Sequence, residues 1–148
     1  MITYATEKLA IGDSQDSKNA TQDKFDAAIC VAIDLDIRDN HENENVRSTR
    51  PRRHKVGLFD GPGNDPMTFA AAIILLESLM KQNKRVLVHC HAGQSRSVMV
   101  VAAWLTYKGL VPSLEDALQK IMEQRKLTIY RQDLYALAQN ALTYVKPT

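Results

Sequence analysis

Val86-Leu87-Val88-His89-Cys90-His91-Ala92-Gly93-Gln94-Ser95-Arg96-Ser97 is the stretch from which the rest of the chain is read. It opens on an aliphatic run, the signature of a short buried strand. It crosses His89-Cys90 into a loop of small residues and ends on Arg96-Ser97, where the run through Trp104 and Leu105 is apolar on nearly all sides and predicts a buried helix. A thiol at the end of a strand, a glycine-containing loop and an arginine at a helix N-terminus make an anion site with a nucleophile at its floor. A dianion such as phosphate needs many donors and no nearby acceptors. Successive N–H groups of a tight loop, here His91, Ala92, Gly93, Gln94, Ser95 and Arg96, can form a nest that supplies them. The orphan N–H groups and positive end of the following helix add to it. Arg96 contributes a planar fork that grips two oxygens at once, and Gly93 allows a backbone conformation closed to most residues.

A lone buried cysteine behaves as a small hydrophobe. Arg96 at the sixth place after Cys90, Gly93 between them and the strand-to-helix context reverse that reading. A thiol in such a field is expected to deprotonate well below the usual value, in the range of roughly 3.5–7.5. It is then a nucleophile at neutral pH. Ser97 can hydrogen-bond the sulfur, and His89 is expected to be structural, its ring bonding loop carbonyls.

Outward from this stretch the elements alternate. Leu9-Ala10-Ile11 before Gly12-Asp13 predicts an early edge strand, and polar Ser14 to Lys24 a short helix or turns with Ser14 and Thr21 as candidate caps. Phe25 to Ile33 predicts a buried strand that ends at the sheet edge, with Asp34 and Asp36 serving turns or solvent. His41 to Arg53 is polar, charged and aperiodic, an exposed loop of about a dozen residues that could face a partner. Lys55 to Phe59 predicts a strand delivering Asp60 into the turn-dense Gly61-Pro62-Gly63-Asn64-Asp65-Pro66. Asn64 or Asp65 can cap a helix running to about Gln82, with Pro66 in its first turn. Gly109 is positioned to end the helix after Arg96. Ser113 with Asp116 resembles a capping box for a helix to about Arg125. A last helix from about Arg131 to Val145 carries Leu134, Leu137 and Ala141 on one face. The pattern predicts one α/β domain over residues 1–148, a central and mainly parallel twisted sheet flanked by helices.

Composition narrows the classes. A chain of 148 residues can bury a real core, and its net charge of +2 does not argue for nucleic acid or membrane. Two cysteines, Cys30 and Cys90, are too few for a disulfide scaffold and suit a reducing cytosol, with Cys30 and Trp104 expected in the core. No apolar run is long enough to span a bilayer, and the N-terminus lacks a secretory core segment.

Cys-x5-Arg, preceded by His and followed by Ser, resembles the signature of the cysteine-dependent protein phosphatases. HCHAGQSRS is most similar to the dual-specificity subgroup, whose loops read His-Cys-x-x-Gly-x-Ser-Arg-Ser. Lys8-Leu-Ala-Ile-Gly12 resembles that family's opening strand and turn, and Lys55 to Asp60 its general-acid strand, with Asp60 placed 30 residues before Cys90. The resemblance implies a phosphomonoester hydrolase that works through a cysteinyl-phosphate without metal or cofactor. Cys90 is its implied nucleophile, Arg96 and the loop amides bind the equatorial oxygens, and Asp60 is acid and then base with Ser97 assisting. Asp65 is the alternative acid, and its competing reading is the helix cap. A phosphorylated protein is the expected substrate, phosphotyrosine first with phosphoserine and phosphothreonine beside it, because no upstream aromatic motif deepens the pocket. A phosphoinositide, a phosphoglycan or an RNA 5′-phosphate is the alternative, and a non-catalytic phosphate-binding module a third. Relatives acting on such non-protein substrates carry extra lysines or Arg-Thr-Gly in the loop, where this chain has Gln94 and Ser95-Arg96-Ser97. The basic run Arg47, Arg50, Arg52, Arg53, His54 and Lys55 reads as a solvated loop that could also attract an anionic substrate.

Overall fold

The computed structural model describes residues 1–36 and 49–146. Five strands form one sheet among them: β1 (Thr3–Thr6), β2 (Leu9–Gly12), β3 (Ala27–Ala32), β4 (Arg52–Leu58) and β5 (Val86–His89). Their spatial order is β1-β2-β5-β3-β4, with β1 antiparallel to β2 and every other pairing parallel. Successive side chains of a strand point to opposite faces. Leu9, Ile11, Val86 and Val88 accordingly enter the main core, while Ala10, Ala28 and Leu87 enter a smaller cluster on the other face.

The helices among the described residues are α1 (Ser14–Asn19), α2 (Pro66–Lys81), α3 (Arg96–Tyr107), α4 (Leu114–Gln124) and α5 (Gln132–Leu142). The last four contribute to the main core, and Ala20 and Phe25 of the segment after α1 close the other face. Near its centre Trp104 of α3 donates its indole N–H to the buried carboxylate of Glu77 on α2, at 3.2 Å, and Lys108 reaches the second oxygen at 3.0 Å. A buried carboxylate needs such partners. The chain is a single α/β domain with a five-stranded, mostly parallel sheet flanked by helices.

Several local expectations change. Leu9–Ile11 is not an edge strand. Thr3–Thr6, whose short half-polar pattern carries little signal, takes the edge and pairs Thr3 with Ile11. Asp13, not Ser14, caps α1, in a capping box with Asp16, and Thr21 caps no helix but closes a turn onto Lys24 and Phe25. Ser113 caps α4, but its hydroxyl bonds the Asp116 carboxylate at 2.8 Å, so the reciprocal half of the box is spent on the side chain. The helix ends fall a few residues inside those expected, and Gly109 follows α3 at φ +77°. The His41–Arg53 loop is shorter than read: Arg52 and Arg53 begin β4, paired with Ala27 and Ala28, and residues 41–48 lie outside the described residues. Among the described residues no helix is long and apolar enough to cross a membrane.

Parallel strands release the chain at one edge of the sheet. Asp13 after β2, Asp34 after β3, Asp60 after β4 and Cys90 after β5 therefore emerge on the same side. A crevice outside the carboxyl ends of parallel strands is where such sheets bind ligands.

Candidate active site

The loop His91–Ser95 is built by its carbonyls. The His91 carbonyl accepts from the Ser14 N–H at 3.0 Å, that of Gly93 from Arg125 Nε at 2.8 Å and that of Gln94 from the Ile129 N–H at 2.8 Å. In a trans peptide the next N–H points the opposite way. Three carbonyls bonded outward thus turn the amides of Ala92, Gln94 and Ser95 toward the loop's interior. Ser95 is the N-cap residue of α3 yet caps nothing, because its hydroxyl donates to the Ile129 carbonyl at 2.9 Å. The first N–H groups of α3 are left for an anion.

Gly93 sits at φ +67°, and a Cβ there would stand 2.5 Å from Arg125 Nη2 and 2.7 Å from the Gly12 carbonyl oxygen. Only glycine fits both demands. Arg125 is fully buried, and its Nη1 donates to the Met1 carbonyl at 2.6 Å and to Thr3 Oγ1 at 3.0 Å. Burial presses its pKa down. In sequence Arg125 reads only as a helix end. The missed signal is that it continues the buried stripe of Leu118 and Ile121 at helical spacing.

Cys90 lies at the floor of a pocket of about 490 Å³ whose lining also includes His91, Ala92, Gln94, Ser95 and Arg96 from the loop. Ser97 Oγ lies 3.3 Å from the Cys90 sulfur. His89 is buried, its Nδ1 3.4 Å from the Cys90 carbonyl, and burial lowers its pKa to about 4, so the ring is neutral. Cys30 lies in the main core, where burial raises its pKa.

Asp60 lines the same pocket, from the loop after β4. Asp65 accepts the Met67 N–H at 2.9 Å as the N-cap of α2 and is absent from the pocket wall. Asp34 lies in the exposed turn after β3, as expected, but does more than serve it: it bonds Arg96 Nη1 at 2.5 Å, and Arg96 holds its carboxyl below the ordinary range. The same nitrogen donates to the Leu58 carbonyl at 3.0 Å. Two acceptors on Nη1 fix one end of the fork, and the buried Arg96 forms part of the pocket wall. Nothing local in sequence marks Asp34, because the contact spans 62 positions. Exposed Ile33, Phe59 and Ile129 form an apolar collar around the mouth, joined by Arg131. Among the described residues no group of three or more His, Cys, Asp or Glu is arranged to hold a metal ion.

A thiol beneath inward amides, a fixed guanidinium and a carboxylic acid on the rim can bind a phosphate ester and displace its alcohol. The sequence pattern of the dual specificity phosphatase catalytic domain matches residues 13–137, and the chain belongs to that family. It is a cysteine-dependent phosphatase. Among solved structures it is similar to human DUSP28, at 17% identity over 97% of this chain and 93% of that one, with a TM-score of 0.77. Tk-PTP in its active form matches at 18% identity over 97% of both chains, TM-score 0.74. PTPMT1, solved in complex with PI(5)P, matches at 16% identity over 97% and 95%, TM-score 0.77. At these identities the likeness speaks for the fold. No curated protein matches the chain by sequence.

Proposed function

We propose that this phosphatase is a protein phosphatase of the dual-specificity type, with residues 1–148 as its catalytic domain. It hydrolyses phosphotyrosine, and with it phosphoserine and phosphothreonine, through a cysteinyl-phosphate. The observation that carries this reading is the convergence of Cys90, Arg96 and Asp60 on one pocket, with Ser97 3.3 Å from the sulfur.

In the first step the Cys90 thiolate attacks phosphorus and the bond to the ester oxygen breaks. Asp60 gives its proton to that oxygen, a contribution of about 10²–10⁴-fold when the alcohol is a poor leaving group. Arg96 and the inward amides bind the equatorial oxygens without reorganising as charge develops. In the second step a water attacks phosphorus, Asp60 takes its proton and the S–P bond breaks. The Ser97 hydroxyl donates to the departing thiolate. Inorganic phosphate then leaves.

The apolar collar supports a protein substrate, since Ile33, Phe59 and Ile129 suit the ring of phosphotyrosine and the residues beside it. The fold shared with PTPMT1, together with the cation of Arg131 at the mouth, favours a phosphoinositide as the second reading. A nucleophilic free thiol fits a reducing intracellular compartment, the cytoplasm. Rates on phosphotyrosine, phosphoserine and phosphothreonine peptides, on PI(5)P and on an RNA 5′-phosphate test the proposal, with Cys90→Ser as control. Phosphopeptides are expected to lead, with the tyrosine peptide first. A PI(5)P rate above every peptide would move the assignment to lipid.

A further inference from the structure

We infer that Asn64 and Arg131 are positioning residues for the leaving-group acid: Asn64 fixes the turn that carries Asp60, and Arg131 holds its carboxylate from across the pocket mouth. The inference rests on Asp60 being that acid.

Strand β4 ends at Leu58, so Asp60 stands on a loop outside the sheet ladder. Gly61, Pro62 and Gly63 follow it, and a free loop of that composition has many conformations to lose. The Asn64 side chain removes this freedom. Its Oδ1 accepts the Phe59 N–H at 2.8 Å, and its Nδ2 donates to the Phe59 carbonyl at 2.9 Å and to the Gly61 carbonyl at 3.2 Å. The three bonds bracket Asp60 on both sides. They need one acceptor and two donors on neighbouring atoms of a short side chain, which asparagine supplies. The next residue, Asp65, caps α2, so the far end of the loop is joined to a rigid helix.

Arg131 acts from the other wall. It is the N-cap residue of α5, and Asp133 holds its guanidinium through Nη2 at 3.1 Å and Nε at 3.3 Å. Asp133 is itself fixed by the Leu134 N–H at 2.8 Å. Arg131 Nε then stands 3.8 Å from Asp60 Oδ1. The guanidinium also lies close to the loop backbone, since a Cβ on Gly61 would meet Arg131 Nη2 at 3.4 Å. Asp60 is thereby referenced to the first turns of two helices. Proton transfer demands hydrogen-bond reach of the leaving oxygen, and a displacement of about 1 Å can lower a rate by about 10²-fold.

The test compares phenyl phosphate, whose leaving group needs a proton, with p-nitrophenyl phosphate, whose leaving group departs without one. Asn64→Ala and Arg131→Ala are each made in the wild type and in Asp60→Ala. Each is expected to lower kcat/KM, which reports the leaving-group step alone, on phenyl phosphate by between about 10- and 100-fold and on p-nitrophenyl phosphate far less. In the Asp60→Ala background neither should change a rate by more than about twofold, because they act through the missing carboxyl. Asp60→Ala without a leaving-group preference overturns the acid assignment, and the inference with it. If Asp60→Ala shows the preference, but Asn64→Ala and Arg131→Ala slow both esters alike or slow the Asp60→Ala enzyme as much as the wild type, positioning alone is overturned. Each residue is judged on its own variant, so a failure of Asn64→Ala to fold leaves Arg131→Ala to decide.

Discussion

Asp34 Oδ1 lies 2.5 Å from Nη1 of Arg96 and places a carboxylate beside the guanidinium that is to grip phosphate. Two effects oppose each other. The carboxylate repels an incoming anion, and it also fixes the fork before the anion arrives. Asp34 is 53% exposed, so water screens the repulsion, which is worth at most about 1 kcal/mol at such sites. The anchor is short, shared with the Leu58 carbonyl, and aimed by Lys55, whose ammonium bonds the carbonyls of Ile33 and Leu35 on either side. We therefore expect Asp34→Ala to lower kcat/KM on an aryl phosphate by about tenfold, chiefly through kcat. A faster Asp34→Ala enzyme would show that Asp34 competes with phosphate.

Ser97 stands 3.3 Å from the nucleophile, on the first turn of α3. Its hydroxyl matters most when the sulfur leaves. Ser97→Ala should slow hydrolysis of the cysteinyl-phosphate more than its formation, by about tenfold. Stopped-flow traces with p-nitrophenyl phosphate should then show a burst of nitrophenolate equal to the enzyme present. A linear trace would place the effect on the first step.

Gly93→Ala meets both a positive φ and a Cβ inside the contact distance of Arg125 and Gly12. Something must move, and the loop is the piece with least sheet or helix to hold it. Activity should fall by about 100-fold or more, as expected when a reacting group shifts by about 1 Å. Urea midpoints should drop by an amount equivalent to about 1–3 kcal/mol, the range for overpacking. Retained activity in Gly93→Ala would contradict the loop geometry.

The buried His89 links stability to pH. Its folded pKa is lowered from 6.5 to about 4, so between these values the unfolded chain binds more protons than the folded one. The stabilisation is fully present above about pH 6.5 and is lost as pH falls through the folded value, up to about 3 kcal/mol in all. Urea unfolding between pH 7 and pH 4 measures it. His89→Phe should flatten the slope over that interval, whatever its own stability. An unchanged slope would assign the pH dependence to other groups.

The parts legible in sequence are those written locally. The strand, loop and helix from Val86 onward carry a periodicity change and a fixed Cys-to-Arg spacing, and the α/β class follows from alternating elements. Asp65 as cap and Pro66 in the first turn are equally local. Asp34 and Arg125 are not legible, because each acts through contacts made only when distant segments meet, and the β1 edge is hidden by a four-residue, half-polar pattern. In sequence Asn64 reads as a possible cap, yet its bonds run backward around Asp60, a choice the turn geometry makes. Sequence distance hides such residues, and charge at a helix end disguises them as solvated.

The central claim is a covalent phosphate on Cys90. Enzyme turning over p-nitrophenyl phosphate, quenched in acid and digested, should yield a phosphorylated peptide containing Cys90, most abundant in Ser97→Ala and absent in Cys90→Ser, which should also be inert. Turnover by Cys90→Ser, or a phosphate trapped on any other residue, would contradict the account.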